Sequence, residues 1–379
     1  MKSISHVALL KSKAQNSGGL EKYASRIADA FVKKGAKVSI LTTGEDLYSP
    51  FSDQISLVPL KTIHWPQFMR LEQFDQGVAG WVQKNTPDLI FGMDRNRFQT
   101  HFRAGNGVHL SYLKSRILAE GMWKYRTCLL NPLHRKILSL EKEAFENPNL
   151  EKIYANSHMV RNELLSSYAV DPGKIEVVHN GVEWEEMRKP FSEKEERKEE
   201  IAKQLGIDPK SYQFLFIGNG YLRKGLDPLL KALSHMKNED FCLSVVGKDN
   251  QIGRFRAKAS SLGLAEKVRF FGSQENILPF YQLADSLVIP SFYDPFANVT
   301  VEALAMGLFV VTSNKNGGHE IINKTNGSIV ENLLDIEVFS NVLKNCLNKP
   351  KTNSRAEIIR NGVAKLDFSK QLEKLTCCG

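Results

Sequence analysis

The sequence predicts an α/β protein made of two doubly wound, Rossmann-like domains that face each other across a cleft. Three observations carry this. The chain has 379 residues, more than one hydrophobic core usually spans. Short apolar runs alternate with amphipathic segments, the pattern of βαβ units and of a parallel sheet covered by helices on both faces. The alternation restarts after Met187, where a Glu- and Lys-rich stretch intervenes. The expected division is residues 1–185, residues 186–352, and a helical tail over 353–379 that crosses back to the first domain.

In chain order, His6–Leu10 reads as the first strand, Lys11–Gly19 as a loop, and about Leu20 to Lys34 as a helix. Leu20, Tyr23, Ala24, Ile27, Ala30 and Phe31 fall at helical spacing there, and Gly35 is a C-cap signal. Lys37–Leu41, Asp88–Phe91 and Lys152–Ala155 read as further parallel strands. Ser192–Gln204 reads as one solvated helix beside the interdomain linker. The second series then runs as strand Gln213–Ile217, helix Asp227–His235, and strands Cys242–Val246, Val268–Phe271 and Ser286–Ile289. Helix Val299–Met306 and strand Phe309–Thr312 complete it. In such folds ligands bind at the carboxyl ends of the strands.

Composition narrows the class. Hydrophobic residues at 42% and charged residues at 25% are ordinary globular values. Five cysteines, Cys128, Cys242, Cys346, Cys377 and Cys378, form no ligand spacing, so reduced thiols in a cytosolic compartment are expected, with the last two as an inert tail. The longest apolar runs, such as Leu308–Val311, are far shorter than a transmembrane helix. Val7–Leu10 is too short for a signal-peptide core. Work at a membrane would be done from its surface.

Two segments carry chemistry. In FIGNGYLRKGL, Phe216–Leu226, a strand ends in Gly218 and Gly220, and Arg223 and Lys224 follow just before a helix. Such a pair neutralises a diphosphate, Arg as a planar fork and Lys as a point charge; the same residues also read as a plain turn with a solvated basic pair. In PSFYDPFANVTVEALAMG, Pro290–Gly307, Asp294 and Glu302 stand eight residues apart around a loop that enters a helix. The amides near Asn298, Val299 and Thr300 suit phosphate oxygens. Glu302 suits the hydroxyl pair of a ribose, or is a helix-start acid favoured by the dipole.

Five segments together resemble the retaining GT-B glycosyltransferases of family 4. They are Ser17-Gly18-Gly19, HNGVE at His179–Glu183, RKG at Arg223–Gly225, the pair Asp294 and Glu302, and ALAMG at Ala303–Gly307. They span nearly the whole chain, and within the family the likeness is nearest to lipopolysaccharide-core α-glucosyltransferases that use UDP-glucose. The resemblance implies an acceptor-binding first domain and a nucleotide-sugar-binding second domain. It implies that Arg223 and Lys224, with Gly18, Gly19 and the amides of Asn298, Val299 and Thr300, hold the donor diphosphate. Glu302 would take the ribose and Asp294 the sugar hydroxyls. Asp294 departs from the family's usual Glu, which puts sugar identity in question. Phe296-Ala297-Asn298 replaces the commoner Phe-Gly-Leu. His109 sits where family members often have a histidine or acid near the transferred sugar, to bond a hydroxyl or assist proton movement; by itself it also reads as a structural histidine, with Asp94 and Asn106 as weaker companions. His179 and Asn180 read as an interdomain turn.

The sequence has no Asp-x-Asp and no His/Cys/Asp cluster at ligand spacing, so no metal and no other cofactor is expected, the UDP-sugar being a co-substrate. The charge is concentrated. From Arg95 to Lys136 there are nine Lys or Arg and one acid, Glu120, a net +8 of the chain's +9. Arg103, Lys114, Arg116, Lys124 and Arg126, interleaved with Met122, Trp123, Tyr125, Leu129 and Leu130, suit an anionic membrane surface or a phosphorylated glycolipid acceptor. A solvated basic face reads the same way, and nucleic acid is disfavoured because no recognised module for it is present. The expectation is a cytoplasmic hexosyltransferase, peripheral on the inner face of a membrane, acting with retention within an ion pair on an oxocarbenium-like transition state. A UDP-sugar epimerase, a phosphorylase or a non-enzymatic basic surface protein are the alternatives.

Overall fold

The structure, a computed structural model, describes residues 4–12, 19–43 and 53–377; Ser17, Gly18 and Cys378 lie outside them. The chain divides into two compact units, Met1–His179 with Ser369–Gly379, and Asn180–Phe368. The break falls at residue 179 rather than 185, and the part of the expected tail before Ser369 groups with the second unit.

The first unit contains β1 (His6–Leu10), α1 (Gly19–Lys33), β2 (Lys37–Thr42), β3 (Ile55–Pro59), α2 (Gln67–Asn85), β4 (Leu89–Gly92) and β5 (His101–Ala104). It continues through α3 (His109–Glu120), α4 (Met122–Leu130), α5 (Pro132–Phe145), β6 (Lys152–Ala155), α6 (His158–Ser167) and β7 (Ile175–Val177). The strands form one parallel sheet in the order β3-β2-β1-β4-β5-β6-β7. Val7 to Leu10 are all buried, and so are Val38, Ile40 and Leu41. That loss of alternation is what helices on both faces require. Four buried residues in a row therefore place β1 at the centre, with Val7 in register with Val38 on one side and Leu89 on the other.

The second unit runs α7 (Arg188–Ser192), α8 (Lys198–Leu205), β8 (Tyr212–Ile217), α9 (Leu226–Ser234), β9 (Phe241–Val246), α10 (Ile252–Ser261), β10 (Val268–Gly272), α11 (Leu278–Leu283) and β11 (Ser286–Ile289). After these come α12 (Asn298–Ala305), β12 (Phe309–Ser313), β13 (Gly327–Val330), α13 (Ile336–Leu347) and α14 (Asn353–Gly362). The last helix, α15 (Phe368–Thr376), begins where the second unit ends. Its sheet is also parallel, in the order β10-β9-β8-β11-β12-β13. Strand order reverses between β1 and β4 in one unit and between β8 and β11 in the other. These are the topological switch points, where the loops after neighbouring strands part and leave a crevice.

The α/β class of the chain thus stands, with corrections of detail. The Ser192–Gln204 stretch is not one helix: Ser192 ends α7, the chain then turns, and α8 begins only at Lys198. It is not wholly solvated either. Phe191, Ile201 and Ala202 are buried, and Lys194, 4% exposed, lies with its ammonium 4.1 Å from the Phe191 ring centroid. Strands β3, β5, β7 and β13 escaped the pattern reading.

One glycine fixes the second switch point. Gly225 has φ +80°, and a Cβ there would stand 1.8 Å from the Pro290 carbonyl oxygen. Only glycine lets the turn after β8 lie directly against the chain leaving β11. The Arg223 carbonyl accepts from the Phe292 amide at 2.8 Å, closing the same contact.

Candidate active site

At the β8/β11 switch point the two basic residues meet an acid. Asp294 Oδ2 accepts from Lys224 Nζ in a short contact and lies 3.4 Å from Arg223 Nη1. Arg223 Nη1 also donates to the Tyr293 carbonyl at 2.8 Å. The Asp294 backbone is fixed in turn, its amide bonding the Lys315 carbonyl at 2.9 Å and its carbonyl taking the Gly317 amide at 2.8 Å. Lys224 and Asp294 are buried, whereas the Arg223 side chain is 36% exposed. Burial alone would raise the Asp294 pKa, but Lys224 and Arg223 outweigh it and hold the carboxyl below its usual range. Burial pulls the Lys224 ammonium below the lysine range, and Asp294 offsets part of that. Two cations and one carboxylate leave one net positive charge at a crevice, a setting that attracts anions.

The chain then enters α12. Ala297, at φ −69° and ψ 115°, is in ordinary extended conformation and donates its amide to Asn316 Oδ1 at 3.1 Å. An alanine therefore serves here without strain. As the first residues of the helix, Asn298 and Val299 have amides with no intrahelical acceptor. The Thr300 amide is spent on the Ala297 carbonyl at 3.0 Å, and its side chain is fully buried against Gly318, so Thr300 leaves the expected set of phosphate donors. Asn180 is drawn to this place, its Nδ2 donating to the Phe296 carbonyl at 3.2 Å and to Asn298 Oδ1 at 2.5 Å. One turn on, Glu302 is half-buried and its Oε2 accepts from Tyr281 Oη at 2.7 Å. Burial and Glu302 raise the Tyr281 phenol well above its usual pKa, which keeps it a donor.

In the first unit, His109 opens α3 and is 8% exposed. Its amide bonds both oxygens of the fully buried Glu141, at 3.0 Å each. Glu141 also takes Arg95 Nε and, at 2.6 Å, Tyr168 Oη. A carboxylate from α5 thus caps a helix whose own N-cap, Val108, offers no side-chain acceptor. His109 Nε2 lies 3.0 Å from His134 Nδ1. Burial, then Arg95 and His134, pull the His109 pKa down to about 3. A ring neutral at every physiological pH offers hydrogen bonds rather than proton carriage, which narrows the expected role. Gly19 is the first residue of α1. Asp94, after β4, binds the amide and hydroxyl of Ser12 at 2.7 and 2.8 Å, and so secures the chain after β1.

The basic segment is less positive than its sequence suggests. Arg103 is not at the surface; it is 3% exposed on β5, its guanidinium 3.8 Å from the Tyr23 ring centroid. Arg116 is held by Glu120 and reaches Cys128 Sγ at 3.0 Å, tying α3 to α4. Arg95 pairs with Glu141, Arg97 with Asp75, Glu72 and Glu143, and Lys136 with Glu72. Most of these acids lie outside the window, which is why counting within it overstated the charge. Lys114, Lys124, Arg126 and Arg135 are exposed and make no ion pair among the described residues. Beside them α4 exposes Met122, Trp123 and Leu130, at 51%, 78% and 77%, and buries only Cys128. Among the described residues no helix is long and apolar enough to cross a membrane.

Sequence reading missed Tyr281, Glu141 and His134, and set Asn180 aside. Glu141 did leave a trace, an acid between Leu140 and Ala144 on the apolar stripe of its helix. Tyr281, an aromatic in a buried helix, left none.

Known proteins resemble this chain over most of its length. The family described as Glycosyltransferase Family 4 matches residues 17–186, and the one described as Glycosyl transferases group 1 matches residues 197–365. The chain is 24% identical over 363 residues to the lipopolysaccharide glucosyltransferase WaaG of Escherichia coli K12, covering 94% of each. An uncharacterized glycosyltransferase of Methanocaldococcus jannaschii is 25% identical over 331 residues, 82% of this chain and 80% of that one. Among solved structures, WaaG superposes with a TM-score of 0.81 at 21% identity, covering 98% of this chain and 100% of its own. Anabaena HepE in complex with UDP-glucose gives 0.66 at 18%, covering 98% of each.

The buried imidazole makes stability depend on pH. Between the unfolded histidine pKa near 6.5 and about 3, the unfolded chain takes up a proton that folded His109 refuses, so stability falls as pH is lowered through that window. Urea unfolding at pH 7 and pH 4 should show the loss, and His109→Asn should make it smaller. An equal loss in the variant would show that the ring is not held neutral.

Proposed function

We propose that this chain, a member of the family 4 glycosyltransferases, moves a hexose, with glucose the first candidate, from a UDP-sugar to a glycan or glycolipid such as a lipopolysaccharide core, with its anomeric configuration retained. The observation that carries the reading is the Arg223–Lys224–Asp294 cluster at the switch point of the second unit. Charge develops on the departing diphosphate as the glycosidic bond opens, and donors fixed in advance stabilise it without reorganising. Arg223 is the accessible fork, and Lys224 lies behind it, oriented by Asp294. The amides of Asn298 and Val299 take further phosphate oxygens, and Glu302, aligned by Tyr281, takes the ribose hydroxyls. Asp294 is committed to Lys224, so its contribution to the sugar comes with that lysine attached. With two cations and two helix-terminal amides, the reaction is assigned no metal. The departing diphosphate and the incoming acceptor hydroxyl meet on one face of the sugar.

Support for glucose and for the lipopolysaccharide acceptor comes from the likeness to WaaG over most of both chains. The exposed Lys114, Lys124 and Arg126 with Trp123 and Leu130 suit the phosphate-bearing surface of the leaflet where such acceptors lie. The protein is accordingly assigned to the cytoplasmic face of a membrane as a peripheral enzyme.

Release of UDP from UDP-glucose should require an acceptor and proceed in the presence of a chelator. Lys224→Ala should lower kcat/KM at least about a hundredfold while circular dichroism stays unchanged. Full turnover in that variant would overturn the phosphate assignment. Flotation with vesicles rich in anionic lipid should capture the protein at low salt. The double substitution Lys124→Glu with Arg126→Glu should weaken capture by roughly thirtyfold or more, and equal capture would remove the membrane reading.

A further inference from the structure

The first unit has a switch point of its own, between β1 and β4, and charged side chains gather there too. Lys11 and Ser12 follow β1, Thr43 follows β2, and Asp94 comes after β4. The two Asp94 oxygens lie 3.3 and 3.5 Å from Lys11 Nζ. Asp94 Oδ2 also accepts from the amide and the hydroxyl of Ser12, at 2.7 and 2.8 Å. Across the strand ends, the amide and the hydroxyl of Thr43 donate to the Ser12 carbonyl at 3.1 and 2.5 Å. The chain segments after three neighbouring strands are thereby bonded into one floor.

Arg70, in the first turn of α2, joins this floor. Its Nη2 donates to Thr43 Oγ1 at 2.6 Å. That neutral hydroxyl is the only partner of the guanidinium among the described residues, and no carboxylate pairs with it there. The side chain is half-buried. A guanidinium is a rigid fork with more N–H groups than one hydroxyl can take, so its charge and most of its donors are left unanswered. Lys11, only 5% exposed, spends its charge on Asp94. Two cations and one carboxylate leave one net positive charge at the crevice, as they do in the second unit. In both units an aspartate fixes a buried lysine at the strand ends, with a more exposed arginine close by. The difference is that Arg223 reaches its aspartate directly, whereas Arg70 is tied to Asp94 through Thr43 and Ser12.

A half-buried fork without a counter-charge, at the carboxyl ends of parallel strands, suits an anion that offers several oxygens. A phosphate monoester does so, and it carries the charge that a sugar hydroxyl lacks. We propose that Arg70 is the fork of a second phosphate site, built wholly within the first unit, and that its ligand is a phosphate group carried by the acceptor. Lys11 and Asp94 act from behind by holding Ser12, and through it Thr43, in place. The acceptor as the source of the phosphate rests on the glycosyltransferase reading above; the site itself does not. The consequence is selectivity: an acceptor bearing the phosphate binds better than the same acceptor without it.

The full chain, with ¹⁵N in its arginine side chains and main-chain amides and with saturating UDP present, is titrated with inorganic phosphate. The Arg70 Nε and Thr43 amide signals should shift saturably, and chloride at equal ionic strength should not reproduce the shift. The Thr43 amide then reports on the variants. Arg70→Lys keeps the charge without the fork and should weaken phosphate binding about fivefold or more. Arg70→Gln should weaken it about tenfold or more. Circular dichroism checks the fold of both, and their affinity for UDP should stay within about twofold of the wild type. With a phosphorylated lipopolysaccharide core as acceptor, Arg70→Gln should raise the acceptor KM about tenfold or more, and with the same core after phosphatase treatment the two enzymes should agree within about twofold. No shift of Arg70 with phosphate would overturn the proposal. So would an equal loss of UDP affinity in Arg70→Gln, which would give the phosphate to the donor, or an unchanged KM for the phosphorylated core. Failure of the wild type to glycosylate any core would instead sink the acceptor reading, and the phosphate titration would still decide the site.

Discussion

The carboxylate of Asp294 holds two cations at the one place in its sheet where neighbouring loops diverge. A buried lysine without that acid would be a charge in low dielectric with nothing to offset its desolvation. With it, Lys224 stays oriented, and Arg223, attached to the Tyr293 carbonyl as well, faces outward. The backbone supports this at every step. Gly225 allows the turn to approach Pro290, and Lys315 and Gly317 grip Asp294 from the chain after β12. Electrostatics, turn geometry and sheet topology thus converge on one crevice, and the RKG segment with the acids Asp294 and Glu302 is the sequence trace of it.

The first unit solves a different problem by similar means. His109 must begin a helix that has no capping side chain of its own, and Glu141 supplies the cap from α5. That carboxylate is fully buried and shares its charge with Arg95 and Tyr168. The cost of its burial is offset by the number of donors around it. His109 is therefore part of a hydrogen-bonded network that fixes its place at the start of α3.

Much of the fold was legible because both sheets are parallel and buried on both faces. Strands such as His6–Leu10, Lys152–Ala155 and Ser286–Ile289 announce themselves as apolar runs. The missed strands are those where this rule weakens. β5 is His-Phe-Arg-Ala, and its polar residues are buried by stacking and cation–π contacts that no pattern of hydropathy reveals. β3, β7 and β13 lie at sheet edges and are short or partly exposed. At the site, Arg223, Lys224, Asp294 and Glu302 were visible as charged residues at strand–helix junctions. Their partners were not. Tyr281 and His134 act through contacts made across helices, and charge counted along the chain could not foresee that Arg95, Arg97 and Lys136 would be matched by acids outside the counted window.

In the proposed reaction the charge of the leaving diphosphate comes to rest on Arg223 and Lys224. A crystal structure of the protein with a bound UDP-sugar tests it most directly. Pyrophosphate oxygens are expected within hydrogen-bonding distance of both side chains, at the amino end of α12. A donor seated elsewhere, with this pair still bonded only to Asp294 and the Tyr293 carbonyl, would contradict it.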